Sequence, residues 1–156
     1  MTFQLEVLPH RDWADSIADL WAERLSDSPE MTMCLATGST PKPVYRAIGG
    51  HADLSRAKVF LLDEFGLESG DPARCDVMLD DMLLSRLEGP PSVERLDPQA
   101  VDLDAECDRY SQAIARDGLG LVVLGLGVNG HLGLNEPGSD YDSTTRVVAL
   151  ADETIA

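Results

Sequence analysis

The segment GLVVLGLGVNGHLGLNEPGS, from Gly120 to Ser139, joins the most apolar run of the chain to a glycine-rich stretch that carries one histidine and one glutamate. A short, continuous apolar run bounded by glycines is typical of a β-strand that is buried on both faces. The glycines that follow let the backbone turn sharply and let a ligand approach it closely. The segment therefore predicts a buried strand with a polar loop at its carboxyl end.

Similar apolar runs alternate with helical patterns along the chain. Buried strands separated by amphipathic helices predict an α/β fold, with a doubly wound, mainly parallel sheet covered by helices on both faces, which is a Rossmann-like architecture. The predicted strands are 30–37 (EMTMCLAT), 57–65 (AKVFLLDEF), 120–127 and 145–150 (TRVVAL). The predicted helices are 13–25, 41–48, 75–87, 101–117 and a first turn at 151–156, and EGPPSVERLDP at 88–98 is a predicted surface loop.

Individual positions refine these elements. Leu20 is predicted to lie on the buried face of the first helix, and Gly118 suits the end of the fourth. The length of 156 residues predicts a single α/β domain over 1–156. The chain stops within the first turn of a predicted helix, so we expect it to lack the C-terminal part of a longer domain.

The charge and the cysteines exclude several classes of function. The chain has 28 acidic and 12 basic residues and a net charge of −16, which disfavours nucleic acids and membrane surfaces as partners. No apolar run is long enough for a membrane helix, and the N-terminus lacks the pattern of a signal peptide, so we expect a cytoplasmic protein. Three cysteines and three histidines without ligand spacing (Cys34, Cys75, Cys107; His10, His51, His131) predict neither disulfides nor a metal site, and Cys34 and Cys107 are predicted to face the core.

In a parallel sheet, ligands bind beyond the carboxyl ends of the strands. The first such end is Gly38-Ser39-Thr40 before Pro41, where exposed N–H groups and hydroxyls can bind a phosphate; the alternative is an ordinary helix start that Ser39 or Thr40 caps. The second is Asp63-Glu64, where a desolvated carboxylate can take a proton from carbon; the alternative is a helix or turn cap.

The third strand end is the loop from Asn129 to Glu136. His131 is bracketed by glycines, and the Asn-Glu-Pro-Gly turn after it can bring Glu136 back toward the imidazole. A histidine oriented by a carboxylate can move protons near neutral pH, whereas a lone histidine is more often structural or simply exposed. Gly125, Gly127 and Gly130 also resemble a dinucleotide motif, but the helix and acid that such a motif requires do not follow.

Three motifs in this order, LATGSTP, LLDEF and GLGVNGHLGLNEPGS followed by TTRVV, resemble the glucosamine-6-phosphate deaminase (isomerase) family. The sister family of 6-phosphogluconolactonases shares the glycine-rich segment and the histidine, but LGLNEPG favours the deaminases. The resemblance implies a sugar-phosphate isomerase/CoA-transferase-like fold and conversion of glucosamine 6-phosphate to fructose 6-phosphate and ammonia, without a metal or a cofactor. A lactonase-like hydrolase and a non-catalytic sugar-phosphate binding module are the alternatives, and a homo-oligomer is compatible with the sequence.

The resemblance also implies roles for individual residues. Asp63 matches the general base that moves a proton between C2 and C1, His131 the ring-opening acid/base, and Glu136 the carboxylate that orients it. Gly38, Ser39 and Thr40 match the phosphate loop. Asn129 stands where many relatives carry Asp, and Arg74-Cys75 replaces a Ser-Tyr pair. Ser139 and Arg146 match residues that bind an allosteric sugar phosphate in some relatives, but Val148 replaces a lysine of that set.

Overall fold

A four-stranded parallel sheet organises the protein in the computed structural model, which describes residues 5–9 and 11–155. His10, the first four residues of the N-terminus and Ala156, which entered the expectations above, lie outside the described residues. The strands are β1 (Thr32–Leu35), β2 (Lys58–Leu61), β3 (Ser92–Glu94) and β4 (Leu121–Val122). The α-helices are α1 (Trp13–Asp27), α2 (Lys42–Ile48), α3 (Cys75–Met82), α4 (Leu103–Asp117) and α5 (Asp152–Ile155), with a 3₁₀ turn at Leu84–Arg86.

The strand order is β3-β2-β1-β4, and every pairing is parallel. Thr32 to Leu35 pair with Lys58 to Leu61 in register, so β1 and β2 end at the same level. Helices connect the successive strands, which are therefore parallel, and after β3 the chain returns to the other side of β1 to form β4, which is the doubly wound pattern. The predicted α/β fold is confirmed.

Successive residues of the central strands serve opposite faces of the sheet, as a strand requires. Met33 and Leu35 pack into a large core with α1, α2 and α3, whereas Cys34 and Phe60 pack with α4. The two central strands are therefore buried on both faces, which explains why their sequences are continuously apolar and not alternating.

Tyr110 fixes α4 against the second face. Its ring meets Phe60 edge-on at a centroid distance of 5.5 Å, and its hydroxyl donates a 2.6 Å hydrogen bond to the carbonyl oxygen of Leu61. Because Tyr110 is buried, this bond gives its hydroxyl a hydrogen-bond acceptor in place of water. The contact holds the carboxyl end of β2, two residues before Asp63, against α4.

Local chemistry sets the ends of the longer helices. Asp102 caps α4 by accepting a hydrogen bond from the backbone N–H of Ala105 at 3.0 Å. Gly118 ends α4 with a φ of 70°, as predicted, because glycine adopts this left-handed conformation without a Cβ clash. No helix within residues 5–9 and 11–155 is long and apolar enough to cross a membrane.

Several predicted elements were wrong. The predicted loop 88–98 contains the strand β3; its prolines concealed an edge strand that pairs only with β2. The predicted strand 145–150 is irregular, and Thr145 donates to Ser111 of α4 instead of joining the sheet. Of the run 120–127, only Leu121–Val122 pairs with β1; the chain leaves β1 after Val123, and Leu126 instead forms an antiparallel bridge with Leu132. Leu20 is exposed and Cys107 is half-buried, because α1 and α4 are covered along narrower stripes than their sequences suggested.

Candidate active site

Three chain segments meet at the carboxyl edge of the sheet. Thr37 and Asp63 each lie two residues beyond the paired residues Leu35 and Leu61, so they leave neighbouring strands at the same level. Gly133, in the loop after β4, lies so close that a Cβ added to it would be 3.0 Å from Oδ2 of Asp63. The convergence predicted for parallel strands therefore brings the loop after β4 onto the Asp63 carboxylate.

Asp63 is a partly buried carboxylate with few compensating contacts. Burial raises the pKa of its carboxyl above the usual range, and the neighbouring charge of Glu64 acts in the same direction. A hydrogen bond from the Cys75 thiol at 3.4 Å, one from the backbone of Leu134, and the proximity of His131 oppose this increase in pKa. Asp63 is therefore a stronger base than an exposed aspartate, and it faces the histidine loop.

Glu64 has a different role from its neighbour. Its side chain is only 2% exposed, and it accepts hydrogen bonds from the backbone N–H groups of Phe65, Cys75 and Asp76 at 2.8 to 3.0 Å. Two of these donors belong to the first turn of α3, and Arg74 lies 3.6 Å away. Glu64 thus caps α3, so the cap interpretation applies to Glu64, whereas Asp63 remains available for chemistry.

His131 lies on a tight turn and not in the apolar core. The N–H of Gly127 donates to the carbonyl of His131 at 2.9 Å, and the N–H of Gly130 donates to the carbonyl of Gly127 at 3.0 Å. Gly130 has a φ of 90°, which favours glycine at that position. The imidazole lies directly over Gly127, where a Cβ would come within 2.2 Å of Nε2. The glycine at 127 therefore provides the space that the ring occupies.

Glu136 returns toward His131 as predicted, but a third residue joins the two side chains. Thr154 of α5 places its hydroxyl 2.6 Å from Oε1 of Glu136 and 3.1 Å from Nδ1 of His131. Asn129 supports the same group: its side-chain amide donates to Oε2 of Glu136 at 2.7 Å, and its carbonyl accepts from the backbone N–H of His131 at 3.1 Å. Asn129, His131, Glu136 and Thr154 therefore form one hydrogen-bonded network.

Three donors stabilise the charged form of Glu136. Hydrogen bonds from Thr154 first, then from the backbone N–H of Ala151 and from Asn129, hold the pKa of its carboxyl below the usual range. Glu136 is therefore a carboxylate at neutral pH.

At the turn of Gly38, Ser39 and Thr40, the structure contradicts the alternative of a helix capped by Ser39 or Thr40. Pro41 occupies the N-cap position of α2, and no side chain caps this helix, so neither Ser39 nor Thr40 serves as its cap. Both are exposed, and Gly38 has a φ of 100°. Within the described residues, no hydrogen bond joins this turn to His131 or Glu136; its link to the site runs through Thr37, which donates to the Cys75 sulfur beside Asp63.

The two residues of the predicted allosteric set follow the histidine loop in the sequence and make different contacts. The Ser139 hydroxyl donates to the backbone carbonyl of Glu136 at 2.8 Å. Arg146 lines a groove of about 500 Å³ together with Asp63, Leu134 and Asn135.

In the part of the chain that the structure describes, no group of three or more His, Cys, Asp or Glu side chains could hold a metal ion.

Two contributors to the site were missed. Cys75 donates to Asp63, yet the sequence analysis identified it only as part of the Arg74-Cys75 pair that replaces a Ser-Tyr pair of the family. Thr154 belongs to a helix turn that the sequence predicted, but it lies 23 residues after His131, and no spacing rule joins the two. The one sequence signal for Thr154 was its place in the first turn of a predicted helix, where polar side chains are common.

Comparisons with known proteins agree on one family. Residues 9–154 match the family described as glucosamine-6-phosphate isomerases/6-phosphogluconolactonase. The chain is 41% identical to the glucosamine-6-phosphate deaminase of Pseudarthrobacter chlorophenolicus, over 88% of this chain and 56% of that protein. It is 36% identical to that of Beutenbergia cavernae, over 96% of this chain and 62% of that protein. The chain thus spans little more than half the length of these relatives.

Solved structures give the same result. A monomeric glucosamine-6-phosphate deaminase superposes with a TM-score of 0.89 at 31% identity, over 96% of this chain and 66% of that chain. A 6-phosphogluconolactonase of Thermotoga maritima superposes with a TM-score of 0.68 at 25% identity, over 78% of this chain and 59% of that chain. Among these two, the similarity to the deaminase is higher in both measures.

Proposed function

The chain belongs to the family of glucosamine-6-phosphate isomerases and 6-phosphogluconolactonases, and we propose that it acts as a glucosamine-6-phosphate deaminase. In this proposal it converts glucosamine 6-phosphate and water to fructose 6-phosphate and ammonia. Relatives named as deaminases at 36% and 41% identity support the choice of substrate. The observation that carries the proposal is the partly buried Asp63 carboxylate against the loop that presents His131.

Asp63 is the proposed general base. In the open-chain sugar, the C2 proton is acidified by the adjacent aldehyde, so a carboxylate can remove it and return it to C1. Because burial raises the pKa of Asp63, its proton affinity is greater than that of an exposed carboxylate, which favours removal of the proton from C2. The product is an imine at C2; water adds to that carbon, and the C–N bond then breaks to release ammonia and leave the ketose.

His131 is the proposed acid/base for ring opening. The closed sugar opens when the proton on O1 is removed and O5 receives one, so a single imidazole can move the proton between the two oxygens. Glu136 and Asn129 hold the loop that presents the ring: Glu136 reaches the imidazole through Thr154, and Asn129 binds the His131 backbone. Asn129 thus supports the geometry without a charge of its own.

Gly38, Ser39 and Thr40 are the proposed phosphate ligands. Both hydroxyls are exposed and neither caps α2, so they are free to donate to phosphate oxygens. Gly38 gives the turn its left-handed conformation. The turn follows β1, whose end lies beside that of β2, so a phosphate there and a sugar at Asp63 would occupy the same edge of the sheet.

The test is an assay of the purified protein for ammonia and fructose 6-phosphate. We expect turnover of glucosamine 6-phosphate and a loss of at least about 10²-fold in kcat for Asp63→Asn, with substrate binding retained. Asp81→Asn, which changes an exposed carboxylate on α3, is the matched control and should leave the rate unchanged. Hydrolysis of 6-phosphogluconolactone that survives Asp63→Asn, or tight calorimetric binding of a sugar phosphate without turnover, would contradict the proposal.

Self-association and the cytoplasmic location stay predictions. The monomeric deaminase with the similar structure shows that one related protein acts without a partner subunit. Sedimentation of the purified protein with and without sugar phosphate would determine its oligomeric state.

A further inference from the structure

Thr154 occupies a position between the two titratable groups of the histidine loop. Its hydroxyl oxygen lies 2.6 Å from Oε1 of Glu136 and 3.1 Å from Nδ1 of His131, both within hydrogen-bonding distance. The residue comes from α5, where its backbone N–H donates to the carbonyl of Ala151 at 2.9 Å, and the N–H of Ala151 in turn donates to Glu136, so the start of this helix is fixed against the loop. Among the described residues, Nε2 of His131 has no hydrogen-bond partner, whereas Nδ1 has Thr154.

The single proton of the hydroxyl determines the direction of both bonds. Glu136 accepts from Thr154, from the backbone N–H of Ala151 and from the Asn129 amide, which is the environment of an ionised carboxylate. A carboxylate cannot donate a hydrogen bond, so at 2.6 Å the Thr154 hydroxyl must be the donor and Glu136 the acceptor. If the hydroxyl pointed to His131 instead, its lone pairs would face those of the carboxylate.

The hydroxyl oxygen then faces Nδ1 with a lone pair. A nitrogen that meets an acceptor at this distance must carry a hydrogen, so Nδ1 is the protonated nitrogen of the neutral imidazole and Nε2 carries the lone pair. We propose that Thr154 is a positioning residue that fixes His131 in its Nδ1–H tautomer by relaying the negative charge of Glu136. Loss of this relay would leave the ring free to adopt the Nε2–H tautomer, which neutral imidazole favours in water.

This assignment gives the proposed function a defined proton path. Nε2 becomes the nitrogen that accepts the proton from O1 and delivers it to O5, while Nδ1 keeps its own proton throughout. The charge that develops on the ring during transfer is stabilised by Glu136 through the hydroxyl. The catalytic consequence rests on the proposed function, whereas the tautomer is a property of the protein without substrate.

Nitrogen-15 NMR of the imidazole side chains tests the proposal directly. The chain has only three histidines, so the spectrum is simple, and His131→Gln assigns the signals of interest. In the pH range where the ring is neutral, we expect the wild-type spectrum to show a protonated Nδ1 and an unprotonated Nε2. Thr154→Val, which keeps the side-chain shape without the hydroxyl, should shift the signals toward Nε2–H, and Thr154→Ser should restore the wild-type pattern.

The kinetic test follows the same three proteins. We expect Thr154→Val to lower kcat by about 10²-fold with little change in KM, because general acid–base catalysis depends on the correct tautomer, and Thr154→Ser to remain within a few-fold of the wild type. A protonated Nε2 in the wild type, or an unchanged tautomer in Thr154→Val, would overturn the proposal. A tautomer that changes as expected in a protein that releases no ammonia would instead overturn the proposed function and leave the role of Thr154 intact.

Discussion

A side chain introduced at Gly127 would directly displace the imidazole of His131. A Cβ built on Gly127 lies 2.2 Å from Nε2, 2.3 Å from Cε1 and 2.5 Å from Cδ2. Gly127 does not have a positive φ, so alanine fits its backbone conformation without strain. Gly127→Ala therefore perturbs the position of the ring rather than the course of the chain.

The size of the effect follows from this distance. Ordinary contacts of a Cβ begin at 3.4 Å, so the ring must retreat by about 1.2 Å to accommodate the new methyl group. A misplacement of about 1 Å in a group that transfers a proton costs roughly 10²-fold in rate. We expect this loss in kcat/KM for ammonia release from glucosamine 6-phosphate. Stability should change by no more than about 1 kcal/mol, because glycine-to-alanine changes at compatible positions act mainly on the unfolded chain.

Gly125→Ala is the matched control. Gly125 lies on the same loop, also lacks a positive φ, and has no atom within 4 Å of the point that a Cβ would occupy. The assay compares kcat/KM of both variants with that of the wild type, together with their thermal unfolding midpoints. If kcat/KM of Gly127→Ala stayed within about three-fold of that of Gly125→Ala, the idea that the imidazole needs a glycine at position 127 would be wrong. Equal large losses of kcat/KM in both variants would indicate that the loop, and not the position of the ring, is disturbed.

Two further variants test the neighbouring acids. Cys75→Ala removes a hydrogen bond that lowers the pKa of Asp63, so the pKa of this carboxyl, which burial already raises, should rise further. Because the base must be ionised, the acidic limb of the pH profile of kcat/KM should move to higher pH, and Cys75→Ser should reverse this shift. An acidic limb that does not move in Cys75→Ala would exclude this role for the thiol. Glu64→Ala uncaps α3 and leaves the buried Arg74 without one of its two carboxylate partners, so we expect a loss of about 3 kcal/mol in the free energy of unfolding, measured in urea. The exposed Glu68→Ala is the control for Glu64→Ala, and equal stability of these two variants would contradict the capping role.

The fold was predictable where burial dictates sequence. β1 and β2 are covered on both faces, so their apolar runs identified them, and Gly118 marked the end of α4 by its conformation. β3 escaped because it is an edge strand of alternating character that follows Pro90 and Pro91, whose presence favours a loop. The run 145–150 has strand-like composition, but composition does not determine whether a partner strand is within reach.

The site was predictable to the extent that topology places it. Parallel strands end at one edge, so polar residues directly after β1 and β2 and in the loop after β4 were expected to converge, and Asp63 and the histidine loop do so. The division of labour between Asp63 and Glu64 was not predictable, because adjacent residues point in opposite directions and only the fold reveals that α3 needs a cap. Thr154 was not predictable because its contact with His131 depends on how the chain returns after residue 139.

The charge balance also bears on how an anionic substrate would be held. At least seven of the 12 basic side chains form ion pairs with acidic side chains: Arg11, Arg56, Lys58, Arg74, Arg95, Arg109 and Arg116. Within the described chain, Lys42 at the start of α2 and Arg146 beside the Asp63 groove have no ion-pair partner. A phosphate at residues 38–40 would lie at the start of α2, close in sequence to Lys42, and the hydroxyls and backbone N–H groups of the turn could donate to it.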